Sequence, residues 1–234
     1  MHFTISSSIF SSHPALSIGL IIATGIDNTK SSPEISQLLR TEEQKIRSTF
    51  TLENFRDHPH LAALQEVHRG FGSNPNKFPP SIQSLIKRIL KGSNLPSINP
   101  LVDLYNVLSL RHLVCAGAED LDVCTGDIEL TPADGTEHFV PLGESAEDPP
   151  EKGELVYKDR AGVICRKLNW REGDRTKITE ATKNALLVIE GFSPLSNEII
   201  MQILKELSEL LQKYCSAKVR AEVLTKDKNI CHIS

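Results

Sequence analysis

Ile98-Asn99-Pro100-Leu101-Val102-Asp103-Leu104-Tyr105-Asn106 leads into a strongly apolar helix that the spacing predicts from Leu101 to Leu113. Val102, Tyr105, Leu108 or Ser109, and His112 recur along it at helical intervals. Asp103 and Asn106 stand three apart on one side of this otherwise apolar helix. Polar groups in such a place need partners, either from the protein or from a ligand. A carboxylate there could orient or deprotonate a water, and an amide could donate to a developing oxyanion. The alternative is a buried cap or a brace between helix and loop.

The same stretch divides the chain. Upstream, residues 2–10 and 15–26 read as strands, with Leu16-Ser17-Ile18-Gly19-Leu20 alternating at period two. Ser32-Pro33-Glu34 then opens a helix, Asp57 to Pro59 opens another that runs towards Arg69, and Pro80-Ser81 opens a third that Gly92 ends. Downstream come short strands at Ile128–Leu130, Phe139–Leu142, Leu155–Tyr157, Val163–Leu168 and Ala185–Glu190. A long helix begins at Pro194 or Ser196, and a final strand at Ala217–Thr225 turns Val219, Ala221 and Val223 inward. This order predicts an α+β domain with mixed sheets rather than a run of βαβ units. Residues 1–57 are expected to belong to the same domain as the core at 58–234.

The chain has 234 residues with 26 Lys+Arg against 30 Asp+Glu, a net charge of −4. That length suits one large domain able to bury its own core without staples. The N-terminal residues Met1 to Phe10 carry no Lys or Arg ahead of an apolar run, so no secretory signal is expected. The apolar run Ala15 to Ile26 is too short to cross a bilayer and suits a buried strand, so no membrane association is expected. Cys115, Cys124, Cys165, Cys215 and Cys231 are odd in number and none forms a C-x-x-C pair. Free thiols in a reducing cytoplasm follow, without a disulfide framework or a zinc site. His60 and His68 are too far apart along a helix to hold one ion, and His58-Pro59-His60 reads as a helix start. G-x-S-x-G, the phosphate-binding G-x-x-x-x-G-K-[ST] and G-x-G-x-x-G are all absent, and Gly70-Phe71-Gly72 is only a glycine pair in a loop.

Charge is unevenly spread. Between Val67 and Val102 five basic residues and no acid occur, from Ala116 to Glu154 twelve acids and one Lys, and from Lys158 to Lys183 eight bases and four acids. Two basic blocks around an acidic one can form a phosphate-binding surface that the net charge hides, or solvated faces. Phe71, Phe78 and Trp170 lie in or beside those blocks, where an aromatic face could stack on an unpaired base or simply anchor a loop. The segment Asn169 to Thr179 holds Arg171, Arg175, Thr176, Lys177 and Thr179 and reads as a hairpin-like loop suited to phosphate or carboxylate recognition.

Taken in order, Pro80-Ser81 through Leu90, Ile98 to Asn106 and Asp120-Leu121-Asp122 resemble the B3/B4 domain of the phenylalanyl-tRNA synthetase beta subunit. There a V-D-x-x-N segment follows a helix and precedes an F-D near the next turn. Gly162-Val163, then Thr179-x-x-Thr182-x-Asn184 with Leu186-Leu187 and Phe192-x-Pro194, is similar to that family's G-V…V-x-x-x-T-x-N-x-x-L-E…F-x-P block. The resemblance covers Pro80 to Pro194. It implies a free-standing, single B3/B4-like α+β domain, with mixed or antiparallel sheets flanked by helices. It further implies a tRNA or aminoacyl-tRNA partner and hydrolysis in trans of a mischarged ester, with aminoacylation itself not expected.

By this resemblance Asp103, Asn106 and Thr179 are the expected catalytic residues. Tyr105 replaces the family's Thr, Gly117 falls at its editing-site His, and Cys165 and Arg166 fall at its glycine pair. The Glu that reads a tyrosine hydroxyl falls at Val188, with Glu190 close by, so tyrosine specificity is not carried over. Tyr105, Gly117 and Cys165 are expected around the substrate, with Arg166, Arg171, Arg175 and Lys177 on phosphates or the terminal ribose. Water would be the nucleophile and neither metal nor cofactor is required, because an activated ester needs only positioning and charge stabilisation. The rival is a non-catalytic module for tRNA, an amino acid or a small carboxylate, which the replaced His and glycine pair favour. If the basic blocks bind tRNA, its affinity falls steeply with added salt in a titration, whereas a flat response leaves a small-molecule binder.

Overall fold

The computed structural model describes residues 1–29 and 32–233. The N-terminal part comprises β1 (His2–Ile5), α1 (Ser7–Ser12), β2 (Ser17–Thr24), α2 (Pro33–Thr49) and a single 3-10 turn at Phe55–Asp57. Three helices follow, α3 (Pro59–Gly70), α4 (Ser81–Leu90) and α5 (Pro100–His112). The rest is β3 (Ala116–Asp120), β4 (Ile128–Pro132), β5 (Leu155–Asp159), β6 (Gly162–Arg166), β7 (Arg171–Glu172), β8 (Asn184–Gly191), α6 (Asn197–Cys215), β9 (Lys218–Leu224) and β10 (Ile230–His232). The strands form a six-stranded sheet, β10-β1-β4-β5-β6-β7, and a four-stranded sheet, β3-β8-β2-β9. The β1–β4 pair is parallel and the other ladders are antiparallel. The fold is therefore a single α+β domain with mixed sheets flanked by helices.

Local signals explain the helices. Ser32 caps α2 by accepting from Ile35 N, and Pro33 fills its first turn. Asn99 does the same for α5 through Val102 N, with Pro100 behind it and Leu113 in the left-handed conformation at the other end. Almost the whole circumference of α5 is buried, including Asp103, Asn106 and Ser109. Such a helix is a core element rather than an amphipathic surface one. Ser196 caps α6, whose Ile200, Ile203, Leu204, Leu207 and Leu211 are buried.

Residues 1–57 are woven into both sheets, β1 beside β4 and β10, β2 between β8 and β9. The segment expected as one strand over 2–10 stops at Ile5, and a short helix turns Ile9 and Phe10 into the core. The strand expected at Phe139–Leu142 is a loop that makes one isolated bridge, Pro141 to Gly173. Proline has no N–H to extend a ladder there. On β9, Ala221 is exposed and Leu224 is the buried residue, as suits the outer strand of a sheet.

Close packing of α6 depends on two missing side chains. A Cβ on Gly191 would lie 2.1 Å from Ile200 Cδ1 and 2.8 Å from Ser17 Oγ, and one on Gly19 would lie 2.8 Å from Ile200 Cγ2. Gly191→Ala is expected to cost about 1–3 kcal/mol in denaturant unfolding through overpacking. Trimming the obstructing side chain with Ile200→Val in the same chain should recover part of that loss.

Candidate functional site

Two adjoining spaces lie where α5 meets the strands. The outer one is a cleft of about 270 Å3 between Ile98, Val102 and Tyr105 on one side and Glu172, Gly173, Lys177, Ile178 and Thr179 on the other. Its lining also includes Ala118 and Glu119 of β3, together with Leu142. The inner one, about 30 Å3, is lined by Gly117, Glu119, Tyr157, Cys165, Asn169, Glu172, Val188 and Glu190, among apolar side chains. Ala118, Glu119 and Glu172 border both.

Strand pairing builds this arrangement. Gly117 and Glu119 are two apart on β3, so they share a face, as do Val188 and Glu190 on β8. The ladder sets Gly117 opposite Val188 and Glu119 opposite Leu186. In the other sheet β7 pairs with β6, Cys165 opposite Glu172, and this carries Glu172 across to β3. A Cβ at Gly117 would stand 2.8 Å from Glu172 Oε1, so the approach of that carboxylate requires glycine there.

Three carboxylates thus converge away from water. Glu190 accepts from Tyr157 Oη at 2.9 Å and from Asn169 Nδ2 at 2.5 Å. Burial outweighs those two bonds and raises its pKa from 4.5 to about 7. Burial also lifts Glu119 well above the usual carboxylate range, with the neighbouring Glu172 charge adding to it. Glu172 is raised by burial too. Burial thus disfavours the charged form of both carboxylates, and the Glu172 charge adds to the effect on Glu119. Glu172 Oε2 is sequestered with no hydrogen-bond partner among the described residues. Burial and the nearby Glu172 push the Cys165 thiol far up, and its Sγ lies 3.4 Å from Leu168 O as a donor. It is a protonated wall of the cavity, not a nucleophile. Behind Asn169, His68 Nε2 lies 3.2 Å from its Oδ1, and burial lowers that imidazole to about 4.

Of the residues singled out from the sequence, Tyr105, Lys177 and Thr179 line the cleft, and Gly117 and Cys165 the inner cavity. Asp103 lines neither. It is fully buried and accepts from Ser97 Oγ at 2.5 Å and Ile98 N at 3.0 Å, bracing the loop that enters α5. Asn106 is buried one turn later, also outside both spaces. Arg166 is 4% exposed and forks onto Glu154 with two 2.8 Å bonds, with Asp148 as a further partner. Arg171 pairs with Glu144, Arg175 forks onto Asp159, and Lys177 Nζ holds both oxygens of Asp174 at 2.9 Å. Phe78 and Trp170 meet edge to face at 4.6 Å, with Lys77 and Lys167 over the Phe78 ring, while Phe71 packs on His68. Glu119 and Glu172 are the residues that sequence reasoning missed. Neither β3, built of small and acidic residues, nor the two-residue β7 offers a local strand pattern that would set them facing each other.

Among the described residues no group of three or more His, Cys, Asp or Glu is placed to hold a metal ion, and no helix is long and apolar enough to cross a membrane. His60 instead sets Nδ1 3.3 Å from His112 O. The five cysteines are free.

A family model described as the B3/4 domain matches residues 63–216, more than half of the chain and all of both spaces' lining except Phe3. The chain belongs to the B3/4 domain family. Among solved structures, it is similar to an N-terminal fragment of the phenylalanyl-tRNA synthetase beta-subunit from Pyrococcus horikoshii. The identity is 17% and the TM-score 0.49, covering 93% of this chain and 50% of that one. The chain thus spans about half the length of that structure. No curated protein matches it. Outside the family match, β1 and β2 complete the two sheets that carry the spaces of this B3/4 domain.

Glu190 gives this B3/4 domain a testable pH signature. With a pKa raised from 4.5 to about 7, its contribution is most favourable below pH 4.5 and is lost as pH rises towards 7. Glu190→Gln should therefore flatten the stability profile over that window, by about 3 kcal/mol at most, in urea unfolding followed from pH 4.5 to 8.

Proposed function

We propose that this B3/4 protein takes the aminoacyl end of a tRNA into the cleft and hydrolyses a mischarged ester in trans, with water as the nucleophile. One observation carries the reading. A cleft between α5 and the Glu172–Thr179 segment and a smaller cavity beside it share Ala118, Glu119 and Glu172 in their walls. An outer compartment for an ester and its sugar and an inner one for an amino-acid group is the division such a substrate requires. The resemblance to the synthetase's B3/B4 domain and membership of the family point to the same substrate class.

In this reading Lys177, the cation in the cleft wall, is paired with Asp174 and is shared with the charge that develops on the ester oxygen. Thr179 Oγ1 accepts from Ala181 N at 3.2 Å and keeps its own proton free to donate into the cleft. Asp103 and Asn106 serve as positioning residues: Asp103 holds the loop carrying Ile98, and the helix holds Val102 and Tyr105 against the cleft. Arg166, Arg171 and Arg175, each tied to a carboxylate, shape the strand and loop behind Glu172 rather than offering unpaired charge. The setting we propose is the cytoplasm, which suits five free cysteines.

A panel of mischarged tRNAs tests the reading by release of the amino acid. At least one pair should be deacylated above the rate without protein, and Lys177→Ala or Thr179→Ala should slow it roughly 10- to 100-fold. If tRNA binds but no pair is deacylated, hydrolysis is wrong and a non-catalytic tRNA-binding module remains. That rival draws on the absence of a histidine at Gly117, whose place beside β3 is taken by the Glu172 carboxylate.

A further inference from the structure

The junction between the two spaces has a chemistry that neither the family nor the proposed hydrolysis assigns. Glu119 is 7% exposed, and together with Glu172 it borders both spaces. Among the described residues, no Lys, Arg or His lines the inner cavity. Lys177 in the outer cleft is held by both oxygens of Asp174, and Arg175 by both oxygens of Asp159. Arg175, forked on Asp159, acts on Glu119 only against the larger effect of burial, so the charge of the pair is only partly offset, which is costly for a buried carboxylate. Glu172 Oε2 has no hydrogen-bond partner among the described residues, although water does not reach it. The missing Cβ of Gly117 lets the other oxygen of that carboxylate close onto β3. Oε2 of Glu172 is thus left for a donor from outside.

We propose that Glu119 and Glu172 receive the free α-ammonium group of an aminoacyl ligand whose side chain is small. This rests on the reading that the cleft takes an aminoacyl ester. An ammonium at the junction makes charge-assisted hydrogen bonds to both carboxylates. It also fixes the other substituents of the α-carbon. The carbonyl turns into the cleft towards Lys177 and Thr179, and the side chain turns into the inner cavity. A space of about 30 Å3 is well below the roughly 150 Å3 of a cavity that takes a benzene ring. It admits a methyl or hydroxymethyl group and excludes an aromatic ring. Glu190 at its far wall is already bonded by Tyr157 and Asn169, so it presents a filled acceptor rather than a second cation site.

The test uses L-alaninamide and L-serinamide, which keep the ammonium and carbonyl without an ester, against their N-acetyl forms and L-phenylalaninamide. Calorimetry or chemical-shift titration of the full chain should show the two small amides binding. N-acetylation or the aromatic side chain should weaken binding at least about tenfold. The double variant Glu119→Gln/Glu172→Gln, close in shape, should lose a similar factor. If that variant does not fold, the comparison of free and acetylated amides on the natural chain decides alone. Equal binding of free and acetylated amides, or no binding of either, overturns the proposal. So does phenylalaninamide binding as well as alaninamide. Binding of the small amides without deacylation of any tRNA would keep this inference and remove the hydrolysis. Deacylation of N-acetylaminoacyl-tRNA as fast as the free-amine form would keep the hydrolysis and remove this inference.

Discussion

The burial of α5 on nearly all sides is the constraint from which the other arrangements follow. A helix with no solvent face must find every polar partner inside the protein. Asn28, itself fully buried, accepts from Leu101 N at the start of α5 and donates to Thr179 O at 2.8 Å. One side chain thereby ties the loop after β2, the helix start and the far wall of the cleft. Asp103 secures the incoming loop, and at the other end Arg111 joins Glu42 of α2 to Glu206 of α6. The cleft has a definite shape because its helical wall cannot move without breaking these bonds.

The acidic interior is the second consequence. Glu119, Glu172 and Glu190 come from three strands in two sheets, and the space between those sheets is where they meet. Desolvation dominates their titration, and mutual repulsion raises Glu119 further. Meanwhile the acidic run at 116–154 is spent partly on the basic block that follows it. Glu154 holds both Arg166 and Lys167, Glu137 holds Lys158, and Glu144 holds Arg171. The two charge blocks that looked like separate surfaces in the sequence are in part each other's partners.

Helices were legible to within a residue or two wherever a cap and an apolar stripe coincide, as at Ser32-Pro33 and Ser196. Strands were legible where β-branched residues cluster, as in β2 and β8, and were misread where a local feature overrode the pattern. Residues 2–10 broke after Ile5, and Pro141 interrupted the ladder at 139–142. Ala116-Gly117-Ala118-Glu119-Asp120 carries no strand signal, yet it is the edge strand of the four-stranded sheet and bears half of the carboxylate pair. Tyr105, Gly117, Cys165, Lys177 and Thr179 were marked from the sequence and do surround the two spaces. Asp103 and Arg166 were marked for their chemistry, but their partners absorb it.

The sequence by itself determined the α+β class, the caps and the apolar stripes, because these depend on local patterns and their order, and the family, because its short motifs recur in order along the chain. Whether a charged side chain faces a ligand or an internal partner depends on residues far apart, such as Arg166 and Glu154 or Glu119 and Glu172. Only the tertiary structure decided that. Strand register brings Glu172 against Gly117 and beside the buried Glu119, and no local pattern encodes a distance between two sheets.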